Sequence, residues 1–247
     1  MNSALHKQLF SFALCGSAML LLCAGVLAAR GWFFALTSLP AFAFVVQRAI
    51  HFSGEGNPPL QTLGAANTIT LLRGWLIALC AGSLFVSIRA EDAALWTAAS
   101  YSTAALLDGL DGWVARRYNS ISVMGSKLDT SMDAFGLLIA PIQAVALGKL
   151  YGSYLLVGAA YYAYIAALRW RAVRQKPTRA LSPSKFRRPL AGLQMTVVAI
   201  ALWPFTASGL SVPAGVLAML PFLAQFLYDW LTVSNRLPLQ QSATHQP

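Results

Sequence analysis

The sequence predicts an all-α integral membrane protein, a polytopic helical bundle with six core transmembrane helices and an additional N-terminal pair. Hydrophobic residues make up 57% of the 247 residues and charged residues only 11%. The mean hydropathy of +0.59 is well above that of ordinary soluble domains. One helical crossing takes about 20 apolar residues, so about eight crossings fit into this length and leave no sizeable soluble domain.

Eight apolar runs are predicted to be the spans, at 9–29, 32–50, 66–88, 93–113, 128–148, 151–168, 189–208 and 211–233. A cleaved signal peptide is an alternative for the first run. The segment between the second and third runs is rich in Gly and Pro, which break helices. We therefore predict a two-helix transmembrane unit over 1–50, a linker over 51–65, a six-helix core over 66–235 and a disordered cytoplasmic tail over 236–247.

Basic residues are distributed unevenly between the predicted loops. With the N-terminus inside, fourteen of the 18 Lys and Arg residues fall on the cytoplasmic side, and only Arg30, Arg89 and Lys149 fall outside. This asymmetry follows the positive-inside rule and predicts that both termini are cytoplasmic. It also accounts for the net charge of +10 without a nucleic-acid partner, for which the sequence contains no binding module.

Four of the eight acidic residues lie within 26 residues, in or beside two apolar runs: Asp108, Asp111, Asp129 and Asp133. Spacings of three and four place each pair on one helix face. Buried like charges are costly without compensation, so we expect a cation among them. Oxygen ligands without Cys or His favour a hard cation, Mg²⁺ or Mn²⁺, as a pair of ions. The alternative is that the aspartates cap helices and pair with surface cations.

Small and basic residues accompany the aspartates. Gly112 and Ala115 follow the first pair and Gly125 precedes the second, which clears side chains from a groove that a phosphate-bearing ligand can approach. Arg116 and Arg117 stand where a guanidinium can hold a phosphate with two hydrogen bonds. Cations, arginine and small residues together indicate a diphosphate site.

The stretch 108–133 fits D-x2-D-G-x2-A-R-x8-G-x3-D-x3-D at all eight fixed positions: Asp108, Asp111, Gly112, Ala115, Arg116, Gly125, Asp129 and Asp133. It resembles the CDP-alcohol phosphotransferase (CDP-alcohol phosphatidyltransferase) family, close to bacterial members that transfer a phosphatidyl group. Upstream, Asn67, Thr70 and Arg73 resemble the N-x2-T-x2-R of the family's first core helix.

The resemblance covers about 60–235 and implies a six-helix core in an inner-membrane protein, usually a homodimer, with its active site facing the cytoplasm. It implies that Asp108, Asp111 and Asp129 bind metal, and that Asp133 binds a second metal and is the general base. The remaining motif residues would contact the CDP moiety: Gly112, Ala115, Arg116, Gly125, Asn67, Thr70 and Arg73. The implied reaction is phosphatidyl transfer from a CDP-alcohol such as CDP-diacylglycerol to an acceptor alcohol, with release of CMP, in phospholipid biosynthesis.

The acceptor alcohol stays open at this point. The loop from Arg169 to Arg188 holds eight cations and no acidic residue, which suits either a topology determinant or a substrate site. If Lys185, Arg187 and Arg188 reach the active site, a phosphorylated acceptor such as glycerol 3-phosphate fits best. Two other functions remain possible interpretations: a divalent-cation transporter, which does not explain the Gly, Ala and Arg spacing, and a non-catalytic family member.

Overall fold

The structure is a computed structural model that describes residues 3–27, 30–56, 60–87, 91–179, 181 and 184–236. Its regular elements are all helical, as predicted, and no strand occurs in these ranges. In chain order they are α1 (Ser3–Val26), α2 (Gly31–Ser53), α3 (Gly64–Gly82), α4 (Leu84–Ser87), α5 (Glu91–Arg117), α6 (Val123–Ala146), α7 (Leu155–Val173), α8 (Arg187–Leu202) and α9 (Ser208–Val233). The predicted tail beyond Arg236 lies outside the described residues, and so do Ala28 and Ala29, where a signal peptide over the first run would be cleaved.

Each of the eight predicted apolar runs overlaps a helix. Four of the described segments are long and apolar enough to cross a membrane, namely Ala4–Val26, Gly31–Ser53, Gly64–Val86 and Ser208–Val233. Helices α5 and α6 carry the aspartates, which lower their hydropathy, and α8 has only 16 residues. The protein is therefore an α-helical, multi-pass membrane protein, and the count of eight spans stays a prediction.

Several predicted boundaries differ from those of the helices by a few residues. The apolar run ending at residue 113 belongs to a helix that continues to Arg117, because backbone hydrogen bonding does not stop where side chains become charged. Arg116 consequently lies on the same helix as Asp108 and Asp111. The predicted linker over 51–65 is shorter at both ends, since α2 extends to Ser53 and α3 begins at Gly64.

Several helices end in the same left-handed turn. After α5, Asn119 has a φ of 47°, Ser120 donates its backbone N–H to Ala115 over 2.9 Å, and Asn119 donates to Arg116 over 3.5 Å. This is the Schellman arrangement, in which a residue with positive φ closes the helix. Helices α6, α7 and α9 end in the same way at Gly148, Gln175 and Asn235.

The N-terminal pair packs directly against the rest of the bundle. One buried hydrophobic cluster includes Leu20 of α1, Val45 of α2, Leu71 of α3 and Met132 of α6. Polar contacts reinforce this packing. Arg48 of α2 donates to the hydroxyl of Ser131 on α6 over 3.0 Å, and the backbone N–H of Leu63 donates to the Gln8 side chain of α1 over 2.9 Å.

Helices α6 and α7 approach closely where α7 has a glycine. A Cβ atom at Gly158 would lie 2.4 Å from the carbonyl oxygen of Leu137 and 2.8 Å from Cα of Leu138. These are backbone atoms of α6, which cannot move aside as a flexible side chain would. The residue at 158 therefore sets the distance between the two helices.

We predict that Gly158→Ala lowers the thermal unfolding temperature of the detergent-purified protein, because the added methyl group forces α6 and α7 apart. Gly192→Ala on α8 is the matched control, since a Cβ there meets nothing within 4 Å. Alanine is favoured over glycine inside a helix by up to about 1 kcal/mol, so the control is expected to be neutral or stabilising. Equal stability of the two variants would contradict the close contact.

Candidate functional site

The site is built on three helices, and a tight connection brings two of them together. Helices α5 and α6 are joined by residues 118–122, beginning with the left-handed turn at Asn119. Ser122 then caps α6, because its side-chain oxygen accepts the backbone N–H of Gly125 over 3.0 Å. The aspartates near the end of α5 thus face those in the first turns of α6.

The guanidinium of Arg73 on α3 lies among all four aspartates. Its two terminal nitrogens contact Asp108 Oδ1 at 2.7 Å, Asp111 Oδ2 at 2.8 Å, Asp129 Oδ1 at 2.7 Å and Asp133 Oδ1 at 2.5 Å. Arg73 is only 2% exposed, whereas the side chains of Asp108, Asp129 and Asp133 are 27–29% exposed. The compensating charge expected from the sequence is therefore, in part, an arginine of the protein itself.

The carboxylates are also suited to a divalent cation. Asp108, Asp111 and Asp129 each offer one oxygen, and these three oxygens lie within 4.8 Å of one another. One guanidinium balances the charge of only one carboxylate, so a cluster of four carboxylates carries excess negative charge. Oxygen-only ligands with excess negative charge fit a hard cation such as Mg²⁺ or Mn²⁺. Asp133 contacts the same guanidinium from the next turn of α6.

A cavity of about 180 Å³ opens beside the carboxylates. Nine of the residues singled out in the sequence line it: Asn67, Thr70, Asp111, Gly112, Ala115, Arg116, Gly125, Asp129 and Arg188. Residues from both halves of the sequence motif, and two of the upstream triplet, therefore line one cavity. Arg73, Asp108 and Asp133 do not line it; the guanidinium of Arg73 contacts the four carboxylates instead.

Close contacts explain the two glycines of the cavity wall. A Cβ at Gly125 would lie 2.4 Å from Asn67 Oδ1, so α3 and α6 approach closely there. A Cβ at Gly112 would lie 3.2 Å from a terminal nitrogen of Arg116 and 3.4 Å from one of Arg188. The absence of a side chain at Gly112 thus leaves room for two guanidinium groups. Thr70 on the same wall donates to Asp111 over 2.9 Å.

The basic residues near the cavity fall into two groups. Arg116 and Arg188 line it, and neither has a carboxylate within ion-pair distance among the described residues. Arg187 instead donates to Asp229 of α9, with Nε 2.7 Å from Oδ2 and Nη2 3.0 Å from Oδ1. Lys185 is exposed and does not line the cavity. Of the three residues predicted to bind an acceptor, only Arg188 reaches the cavity wall.

Sequence reasoning missed the Arg187–Asp229 pair. Asp229 is 5% exposed and lies in a strongly apolar run. An isolated acidic residue in such a run is itself a sign of a buried partner. A choline acceptor would need aromatic rings around its quaternary ammonium group, and the neighbouring Tyr161, Tyr162 and Tyr164 of α7 could offer them. None of the three lines the cavity, and Tyr164 packs against Phe226 and Trp230 of α9.

The carboxylate cluster suits a divalent cation, and the cavity beside it is lined by two arginines that have no carboxylate partner among the described residues, an arrangement suited to a phosphate-bearing ligand. The sequence profile of the CDP-alcohol phosphatidyltransferase family matches residues 63–231. This range covers more than half of the chain, so the protein belongs to that family, as the motif predicted. No curated protein matches the sequence.

We predict that Arg73→Met lowers the free energy of unfolding by about 3 kcal/mol or more, because it leaves four neighbouring carboxylates without their cation. Thermal unfolding in detergent with a chelator measures this loss. Adding Asp111→Asn to Arg73→Met should recover part of it by removing one negative charge.

Arg48→Met is the matched control for Arg73→Met. The Arg48 guanidinium contacts Ser131 and the ring of Phe52 and has no carboxylate partner among the described residues. Its replacement should cost much less stability. Added Mn²⁺ should raise the unfolding temperature of Arg73→Met by more than it raises that of the unaltered protein, and it should not do so for Arg48→Met. Equal losses in both variants would contradict a charge-balancing role for Arg73.

Proposed function

We propose that the protein transfers a phosphatidyl group from a CDP-alcohol such as CDP-diacylglycerol to the hydroxyl of an acceptor alcohol and releases CMP. The observation that carries the proposal is the shared cavity, in which Asp111 and Asp129 lie beside Gly112, Arg116 and Gly125. Carboxylates for a cation and guanidinium groups for phosphate thus line the same space, as transfer of a diphosphate-activated group requires.

The carboxylate cluster would hold Mg²⁺ or Mn²⁺. Asp108, Asp111 and Asp129 are the first ligand set, and Asp133 would serve a second ion. A divalent cation bound there supplies positive charge that polarises the phosphoryl oxygens of the donor. The support for this assignment is the chemistry of the oxygen-only ligand set and its excess negative charge.

The other residues bind, orient and move a proton. Arg116 donates hydrogen bonds to the diphosphate of the donor, and the open surface at Gly112 and Gly125 lets that group approach the backbone closely. Asp133 takes the proton of the acceptor hydroxyl through a carboxylate oxygen. The acceptor oxygen then bonds to the phosphorus on the lipid side, the bond from this phosphorus to the oxygen of the CMP moiety breaks, and CMP leaves with that oxygen.

Arg188 favours a phosphorylated acceptor such as glycerol 3-phosphate. Its guanidinium reaches the cavity wall close to Arg116 and has no described carboxylate partner. A second phosphate group beside that of the donor needs such an additional cation. Serine or choline carries no phosphate group to which the Arg188 guanidinium could donate hydrogen bonds.

The distribution of charge supports a cytoplasmic active site. The cavity lies at the end of α5 and the beginnings of α6 and α8, and basic residues cluster around the same helix ends: Arg116, Arg117, Lys127, Lys185 and Arg188. Under the positive-inside rule this end of the bundle faces the cytoplasm. The homodimer stays a prediction from the family resemblance, and its mass in nanodiscs tests it.

The function is tested by following CMP release from CDP-diacylglycerol with Mg²⁺ or Mn²⁺ in detergent. Glycerol 3-phosphate, inositol phosphate, inositol, serine and choline are added one at a time. We expect cation-dependent release with a phosphorylated polyol. If no acceptor supports release and proteoliposomes instead take up Mn²⁺ without any CDP compound, the protein is a cation transporter and the proposal is wrong.

Asp129→Asn and Asp133→Asn are expected to abolish CMP release, because the first removes a cation ligand and the second removes the base. The CMP assay measures the loss, and gel filtration verifies that the variants remain folded. Glu55→Gln is the matched control, because Glu55 pairs with Lys127 away from the cavity wall. Turnover that survives in Asp133→Asn would exclude it as the base.

Arg188→Ala is expected to raise KM for a phosphorylated acceptor roughly ten- to hundredfold, since a charge-assisted hydrogen bond contributes about 1.5–3 kcal/mol. KM for the CDP-lipid should change little. Arg117→Ala is the control, because Arg117 is exposed and does not line the cavity. If KM for the acceptor is the same in both variants, the basic loop from Arg169 to Arg188 determines membrane topology and does not bind the acceptor.

A further inference from the structure

We propose that Asp229 is a positioning residue that acts through Arg187 to direct Arg188 into the cavity. The inference rests on the proposed function, in which Arg188 binds the phosphate of the acceptor. It assigns a role in acceptor recognition to a carboxylate of α9 that lies outside the sequence motif and does not line the cavity.

The ion pair between Arg187 and Asp229 is well suited to hold the first turn of α8 in one orientation against α9. Both carboxylate oxygens are engaged by the guanidinium, at 2.7 and 3.0 Å, and Gln225 donates to Oδ1 over 2.8 Å. Asp229 is 5% exposed. Two parallel hydrogen bonds to a buried carboxylate restrict the guanidinium in both direction and rotation, which a single contact would not do.

The beginning of α8 has little else to hold it. Phe186, which precedes the helix, provides no side-chain cap. The connection before it is exposed at residues 174–179, and its backbone contact with α9, from the N–H of Arg179 to the carbonyl of Val233 over 3.1 Å, lies eight residues before α8. The next polar contact of α8 is two turns on, where Gln194 donates to the carbonyl of Ala218 over 2.7 Å. Among the described residues, the Arg187–Asp229 pair is therefore the polar contact that ties the first turn of α8 to α9.

Helix geometry connects this pair to the cavity. Successive residues of an α-helix point about 100° apart, so holding Arg187 against α9 turns Arg188 toward a different neighbour. That neighbour is α5, where a terminal nitrogen of Arg188 lies 3.4 Å from the Cβ position of Gly112. If the pair is lost, the first turn of α8 can rotate or fray, and the Arg188 guanidinium leaves the position in which it meets a phosphate.

The test is a double-mutant cycle between Asp229 and Arg188, measured in the full-length protein with CDP-diacylglycerol, Mn²⁺ and the phosphorylated acceptor that supports CMP release. Asp229→Asn alone is expected to raise KM for the acceptor about tenfold, as for coupled residues of one network, and to leave KM for the CDP-lipid within about twofold. In the Arg188→Ala background, Asp229→Asn should have no further effect on KM for the acceptor.

A purely structural role predicts a different pattern. It would lower kcat and the unfolding temperature equally in both backgrounds, and that result would overturn the inference. An unchanged acceptor KM in Asp229→Asn, or in Arg188→Ala itself, would also overturn it while leaving the transferase function intact. Absence of CMP release by the unaltered protein with every acceptor would instead reject the proposed function.

Two further variants keep the test decisive if Asp229→Asn does not fold. Arg187→Lys retains the positive charge but loses the two-point contact. We expect it to raise KM for the acceptor by less than Asp229→Asn does and to leave KM for the CDP-lipid unchanged. Unchanged acceptor kinetics in a folded Arg187→Lys would overturn the inference. Glu55→Gln, which breaks the ion pair with Lys127 elsewhere in the bundle, is the matched control and should leave KM for the acceptor unchanged.

Discussion

The contact between the Arg73 guanidinium and four aspartates determines how α3, α5 and α6 are arranged around the site. All four carboxylates lie within 2.8 Å of its two terminal nitrogens. In a bundle of low dielectric constant such contacts are strong, and leaving the charges unpaired would be costly. A single positive charge cannot balance four negative ones, however. The same contact therefore leaves a net negative cluster whose oxygen ligands suit a divalent cation.

Ionic pairing separates residues with structural roles from those available to a ligand. Asp108, Asp111, Asp129 and Asp133 contact Arg73, and Asp229 contacts Arg187. Arg116 and Arg188 line the cavity, and neither forms an ion pair with a carboxylate in the part of the chain that the structure describes. Their guanidinium groups are therefore the ones free to bind phosphate with two hydrogen bonds.

The N-terminal pair of helices is packed into the bundle although the family match begins only at residue 63. Helices α1 and α2 contribute to the same buried cluster as α3 and α6. Arg48 adds a polar contact to α6 through Ser131, which lies between the site residues Asp129 and Asp133 in the chain. Helix α2 therefore packs against one face of α6, and the opposite face of α6 carries Asp129 and Asp133.

The sequence alone determined the features that depend on local periodicity and composition. Apolar runs of crossing length predicted the helices, and spacings of three and four predicted that Asp108 and Asp111, and likewise Asp129 and Asp133, share a face. These predictions need only the geometry of a single helix. The motif at 108–133 also identified the family, because its residue types and spacing are specific.

Only the tertiary structure decided which charges meet. Packing of α3 against α5 and α6 places the guanidinium of Arg73 among the four aspartates, and its contact with CDP stays a prediction. Arg187 and Arg188 are adjacent in sequence and chemically identical, yet one pairs with Asp229 and the other lines the cavity. The rotation of each helix about its own axis separates these roles. That rotation is set by contacts between segments far apart in the chain, which local spacing does not specify.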